Sequence, residues 1–365
     1  MILDKCFKKE WIVDRSKHFK RGKTVADGQL IEKVIYALRL LETLSRVNVD
    51  FIFKGGTCLL LLLKKVNRFS IDIDIIIEVM SKDEFKNKLD SIIKESKVFY
   101  RYEEHIRYSS NDIPKAHYKF FYKSDLDESE KYILLDILFE KCSYSKIIEK
   151  EIKCDFIELD DEIIKVKTPD INCILGDKLT AFAPKTTGIM YGKGKQLEII
   201  KQLYDISNLF DESDDLSIIS ETFKKIAAQE LSYRKVEGLS YNDVLDDIFN
   251  TSINIITKGR VSLENFKELE DGVRRIKGYI FSSNFIMESA VECACKAAYL
   301  AMLIKSKHSE IEKYDESIDM KTINITDTRL SRISKGIKKY SLEGYYYLYK
   351  AMNIHSNLLS EVATE

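Results

Sequence analysis

Residues 51–78 read FIFKGGTCLLLLLKKVNRFSIDIDIIIE, and two aspartates inside an isoleucine run decide how the chain is read. VDFIFK, residues 49–54, predicts a short strand, Gly55-Gly56-Thr57 opens a leucine-rich helix, and SIDIDIIIE predicts a second strand. Side chains two apart on a strand share a face, so Asp72 and Asp74 point one way and Ile71, Ile73, Ile75 and Ile77 the other. Two carboxylates about 7 Å apart on one strand repel each other, and a divalent cation between them relieves that repulsion. Oxygen ligands select a hard ion, Mg2+ or Mn2+. The competing reading is a pair of solvent-facing aspartates on an edge strand. The glycines weigh against it, because a strand-to-helix junction offers backbone N–H groups and a helix dipole to an anion. A phosphate site joined to a metal site by one short helix suits phosphoryl transfer. A third carboxylate is expected from a neighbouring strand. Asp136 is the candidate, set among Leu134, Leu135, Ile137 and Leu138, where a lone aspartate is costly unless paired or cation-bound. Otherwise it is a satisfied core polar residue.

The rest of the chain frames this motif. Its 365 residues are 45% hydrophobic and 32% charged, which is globular, and 3 prolines with 14 glycines predict mostly helix. A net charge of −1 excludes a polyelectrolyte binder and leaves nucleic-acid contact to local patches. Seven scattered cysteines form no C-x-x-C pair, and five isolated histidines lack metal spacing. This predicts a cytoplasmic protein without structural zinc or a disulfide framework. The charged N-terminus lacks the apolar core of a signal peptide, and Cys58–Leu63 is too short to span a membrane, so no membrane partner is expected.

Asp27–Arg46 has helical spacing, as does the stretch from the capping Ser81 through Phe85, Leu89 and Ile93. AHYKFFYKS and KYILLDILFE read as strands, the second apolar on both faces, with shorter runs KCDFIEL and EIIKVK after them. From Thr168, a helix N-cap followed by Pro169, the pattern turns helical: about 169–184, 195–210, 215–234, 241–257, 262–278, 284–306, and one or two helices after Asp327. The expected architecture is α+β: a mixed sheet with helices over 1–168, then a helical bundle over 169–365 that contributes to the active-site cleft.

The Gly-Gly turn, D-x-D strand and later Asp136 resemble the DNA polymerase beta-type nucleotidyltransferase superfamily. The fuller string FIFKGGTCLLLLLKKVNRFSIDIDI is similar to one branch, the AbiEii/AbiGii nucleotidyltransferase toxins, as are LGDKLTAF and KQLYDISNLF further on. The resemblance implies a polymerase beta-like N-terminal domain and two-metal transfer from an NTP, with Asp72, Asp74 and Asp136 as metal ligands. Gly55, Gly56 and Thr57 would hold the β- and γ-phosphates, and Arg68 and Ser70 would contact phosphate or brace the turn. It also implies active-site roles for Lys178, Lys201 and Asp205. Read from spacing alone, Lys178 is a snorkelling residue at the margin of its helix, and Lys201 with Asp205 a surface ion pair. Family members often carry an arginine a few residues after the first lysine; here the nearest basic residue is Lys185.

The implied acceptor is RNA, with a tRNA 3′ end the first choice, and the implied partner a cognate antitoxin. Residues 321–350 hold seven basic and two acidic residues, among them Arg329, Arg332, Lys335, Lys338 and Lys339, beside Tyr345, Tyr346, Tyr347 and Tyr349. Such a mixture suits nucleic acid, although charge runs are usually solvated and tyrosines at this spacing are often core. Two other classes stay open: transfer to a protein hydroxyl or small molecule, and an inactive nucleotide- or partner-binding module.

Overall fold

The chain opens with α1 (Lys9–His18) and α2 (Gly28–Arg46), the latter capped by Asp27, which accepts from Gln29 N. The computed structural model describes residues 1–19, 24–106, 114–327 and 330–362. After α2 come β1 (Ile52–Lys54), a turn, the single helical turn α3 (Leu59–Leu62) and β2 (Ile73–Ile76). α4 (Lys82–Lys86) and α5 (Leu89–Ser96) precede β3 (Arg101–Glu104), β4 (Lys115–Lys123), β5 (Glu130–Leu138), β6 (Ile147–Glu151) and β7 (Lys165–Pro169). The strands make one mixed sheet in the order β3-β4-β5-β2-β1-β7-β6. β2 runs parallel to β5 and β1 to β7, and the other neighbours are antiparallel. α2 is buried along almost all of Ile31–Leu44, its charged groups included. Those charges are matched: Glu32 meets Ser124 and Lys131, and Arg39 meets Glu42 at 2.8 Å.

Several local expectations need correction. The aspartate strand is Ile73–Ile76 and not the whole of SIDIDIIIE, so Asp72 lies just before it. The leucine run gives one helical turn that ends at an extended Leu63, because Leu59, Leu60 and Leu62 are all buried and no polar stripe imposes a helical period. KCDFIEL forms only a bridge from Leu159 to Ile2. Thr168 and Pro169 continue β7 opposite Ile148 and Ile147, and the next helix starts at Ile171, so Thr168 is not its cap. The edge strands β3 (RYEE) and β6 (IIEKE) carry too little apolar alternation to be read in advance.

The remaining elements are helices: α6 (Ile171–Ala181), α7 (Gln196–Glu212), α8 (Leu216–Tyr233), α9 (Tyr241–Ile256), α10 (Leu263–Ile276), α11 (Met287–Lys305), α12 (Ser331–Tyr340) and α13 (Leu342–Val362). The expected succession of helices is borne out. α11 is buried over most of its length and is the core helix of this part. The chain forms two compact units, Met1–Asp170 with Gly278–Asn284, and Ile171–Lys277 with Phe285–Glu365. Within the first unit, the returning segment pins the approach to the aspartates: Phe69 N donates to Tyr279 O at 2.8 Å and Phe281 N to Asn67 O at 3.3 Å. No helix among the described residues is long and apolar enough to cross a membrane.

Candidate active site

Strand register builds the site. Lys54 of β1 lies opposite Asp74 of β2, Asp74 beside Asp136 of β5, and Asp136 opposite His117 of β4. Four cross-strand neighbours therefore form one row over four adjacent strands, each about 4.8 Å from the next. Ile73, Ile75, Leu135 and Ile137, the alternate residues, are at most 1% exposed. A one-residue slip would bury the carboxylates and expose those aliphatic side chains, so the apolar face fixes the row.

The glycine turn closes against this row. Gly55 has φ +80°, and a Cβ placed there would lie 2.2 Å from Asp74 Oδ2 and 2.8 Å from its Cγ. At Gly56 a Cβ would come within 2.8 Å of Ser70 Oγ and 2.9 Å of Arg68 Nη2. Gly55, Gly56, Arg68, Ser70 and Asp74 thus converge, although eleven residues separate Gly56 from Arg68 in sequence. Thr57 is fully buried, and its hydroxyl donates to Asp72 O at 2.5 Å and lies 3.0 Å from Ser70 Oγ. That hydroxyl staples the turn to the aspartate segment. Arg68 is 8% exposed and donates from Nη1 to Phe69 O at 2.8 Å. A four-residue helix has almost no dipole, so the anion-attracting part of this junction is the backbone of the turn alone.

His117 is the functional candidate that sequence reading passed over. Its Nδ1 lies 2.6 Å from Asp136 Oδ1, with the two side chains 15% and 25% exposed. Asp136 is therefore half-open and partnered, not a lone buried acid. The strand alternation of KAHYKFFYK does put His117 on the face opposite Ala116 and Tyr118, but register alone brings it to Asp136.

Asp74 and Asp136 side by side form an oxygen donor set of the kind hard divalent cations take, with Asp72 exposed just before them. Among the described residues no group of three or more His, Cys, Asp or Glu side chains is already gathered as a metal site. The two in-register carboxylates fit an ion; a third ligand has to come from Asp72, substrate or water. In the helical unit, Lys178 Nζ lies 3.0 Å from Asp205 Oδ2 and donates to Gln202 Oε1 at 3.0 Å. Lys178 is 7% and Asp205 2% exposed, so the lysine is a buried partner of Asp205 and not a marginal snorkelling residue. Lys201 is half-buried on α7.

A family model described as the nucleotidyl transferase AbiEii toxin of type IV toxin–antitoxin systems matches residues 39–276. The chain belongs to this family. The AbiEii match starts within α2 and takes in the whole row Lys54–Asp74–Asp136–His117 as well as Lys178 and Asp205. Membership makes the protein an enzyme of nucleotidyl transfer and a toxin. Two solved structures from Helicobacter pylori are similar at a TM-score of 0.40 and 15% identity. JHP933 covers 77% of this chain and 94% of its own, and a protein described provisionally as a nucleotidyltransferase covers 76% and 94%. No curated protein matches the sequence.

Proposed function

We propose that this AbiEii-family protein transfers a nucleotidyl group from an NTP to an RNA acceptor, with a tRNA 3′ end as the target and a cognate antitoxin as its biological counterpart. The observation that carries the chemistry is the row Lys54–Asp74–Asp136–His117 with Gly55 seated against the Asp74 carboxylate. Asp72, Asp74 and Asp136 would hold Mg2+ or Mn2+. When bound, the ions supply positive charge at the α-phosphate and at the departing pyrophosphate. The backbone of Gly55–Thr57 receives the β- and γ-phosphates in a turn too tight for a side chain at Gly55 or Gly56, with Arg68 Nη2 lying against Gly56. The acceptor hydroxyl oxygen bonds to the α-phosphorus, the α–β anhydride breaks, pyrophosphate leaves and the hydroxyl proton passes to water. Lys178, Lys201 and Asp205 are assigned to the same reaction on the family motif, with the buried Lys178–Asp205 pair as its fixed element.

The test is incubation with total RNA, Mg2+ and each labelled NTP in turn, beside an Asp72→Ala/Asp74→Ala control. Label on tRNA that depends on the aspartates is the expected result. Label on protein alone, or none with any NTP, overturns the RNA reading.

A further inference from the structure

The C-terminal motif comes apart in the structure. Tyr345, Tyr346 and Tyr347 are at most 5% exposed and belong to the core, which removes them as stacking platforms. Lys338 is turned inward, donating to Met320 O at 2.6 Å and lying 4.8 Å from the Tyr345 ring. Arg329 lies outside the described residues. What α12 leaves exposed is Arg332, Lys335, Gly336, Lys339 and Tyr340, one stripe at helical spacing. Arg332, Gly336 and Tyr340 line a hollow of about 370 Å3 whose other wall is the end of α9 with Lys258 and Arg260. A second hollow of about 400 Å3 shares Thr257 and Arg260 and prolongs the groove toward Phe249 and His355, whose rings stack at 4.7 Å.

Three features point to a polyanion. Lys258 is paired with Glu288 at 3.2 Å, but Arg260, Arg332, Lys335 and Lys339 have no carboxylate partner among the described residues. Asp327 at the far end of the groove leaves the net charge positive. Gly336 sits inside a helix, where glycine is unfavourable, although nothing lies within 4 Å of the Cβ it lacks. The groove floor is thereby left open to the backbone of another chain. Tyr340, 45% exposed at the rim, offers a ring on which a base stacks.

We propose that this groove of the helical unit binds the sugar–phosphate backbone of a single-stranded stretch of the RNA acceptor, with Arg260 and Arg332 in the groove and Lys335 and Lys339 on the exposed face of α12 beside it meeting its phosphates. The proposal rests on the RNA reading above. It is tested by fluorescence anisotropy with labelled tRNA and an unstructured RNA 12-mer, without NTP, over a salt series. Wild type is compared with Arg260→Glu/Arg332→Glu, with Lys335→Glu/Lys339→Glu, and with the milder Arg332→Ala. Lys267→Glu/Lys277→Glu, on exposed residues elsewhere, matches the change in net charge. The groove variants are expected to bind at least about tenfold more weakly than that control, with a salt slope shallower by about 0.7 per cation removed. In the transfer assay they raise KM for RNA and leave KM for NTP unchanged. Affinity and slope within twofold of the control, or a wild-type protein that binds no RNA, overturn the proposal. Loss of RNA binding by groove variants of a protein that labels no RNA keeps the groove and overturns the transfer reading instead.

Discussion

Replacing Gly55 by alanine would set a methyl carbon 2.2 Å from Asp74 Oδ2 and require a side-chain-bearing residue to hold φ +80°. Backbone strain of this kind costs about 1–3 kcal/mol, and the clash can be relieved only by moving the carboxylate. Gly55→Ala is therefore expected to lower the melting temperature modestly and to abolish transfer, and activity within threefold of wild type would contradict this account of the turn. His117 gives a second prediction. Partners that orient a ligating group typically contribute 10–100-fold to metal affinity or activity, so His117→Ala should reduce transfer by about that factor while His117→Asn, which keeps a donor, loses less. Mn2+ affinity measured by titration should fall in parallel for the alanine variant. These residues also show what a sequence discloses. Asp72, Asp74 and the Gly-Gly turn were legible because their relation is local. Lys54 and His117 were not, since their place beside Asp74 and Asp136 follows from strand register, which periodicity does not encode.

At the scale of elements, α6 and α7 are held together by an ion pair that serves as a test of structure against function. Removing one partner of a buried pair leaves an uncompensated charge and typically costs 3–5 kcal/mol. Lys178→Met should destabilise the helical unit by about that amount, because the carboxylate of Asp205, 2% exposed, loses the ammonium 3.0 Å away. The double variant Lys178→Met/Asp205→Leu should recover part of the stability, since neither charge is then left without the other, while Gln202 loses its donor. Transfer stays lost in the double variant if the pair serves the reaction, and returns with stability if it only packs α6 on α7. Urea denaturation and the labelled-NTP assay, run on the same preparations, separate the two. Helices of this part were readable because long amphipathic segments repeat their signal over several turns. The first unit was read less completely: β3 and β6 are short edge strands, and the helix expected over the leucine run is a single turn because its burial is uniform.

At the scale of the whole molecule, charge buried among the helices sets how stability answers to pH, and this is invisible in a net charge of −1. Lys296, 3% exposed, lies 2.6 Å from Asp211 and 3.0 Å from Glu343. Lys313 packs beside this cluster, donating to Phe210 O with its ammonium 3.7 Å from the Phe210 ring centre. Burial, reinforced by the charge of Lys296 and opposed by Asp211 and Glu343, pulls Lys313 down to about 8. An unfolded lysine titrates near 10.4. Below pH 8 both states hold the proton, and the native state carries the full burial penalty. Between about 8 and 10.4 the unfolded chain holds a proton that the native chain has released, so this group makes stability rise with pH across that window. Tyr347, pushed up by burial to about 12, works in the opposite direction, since an unfolded tyrosine ionises near 10 while the native one does not. The cleanest window is therefore pH 8 to 9.5. Lys313→Met removes the titration and the penalty together. It should be more stable than wild type at pH 7, with the difference shrinking steadily toward pH 9.5, where wild type has shed its proton. Guanidinium denaturation of both proteins at half-unit steps reads this directly. A difference between them that stays constant from pH 7 to 9.5, or that grows, would show that Lys313 keeps an ordinary lysine titration in the folded chain.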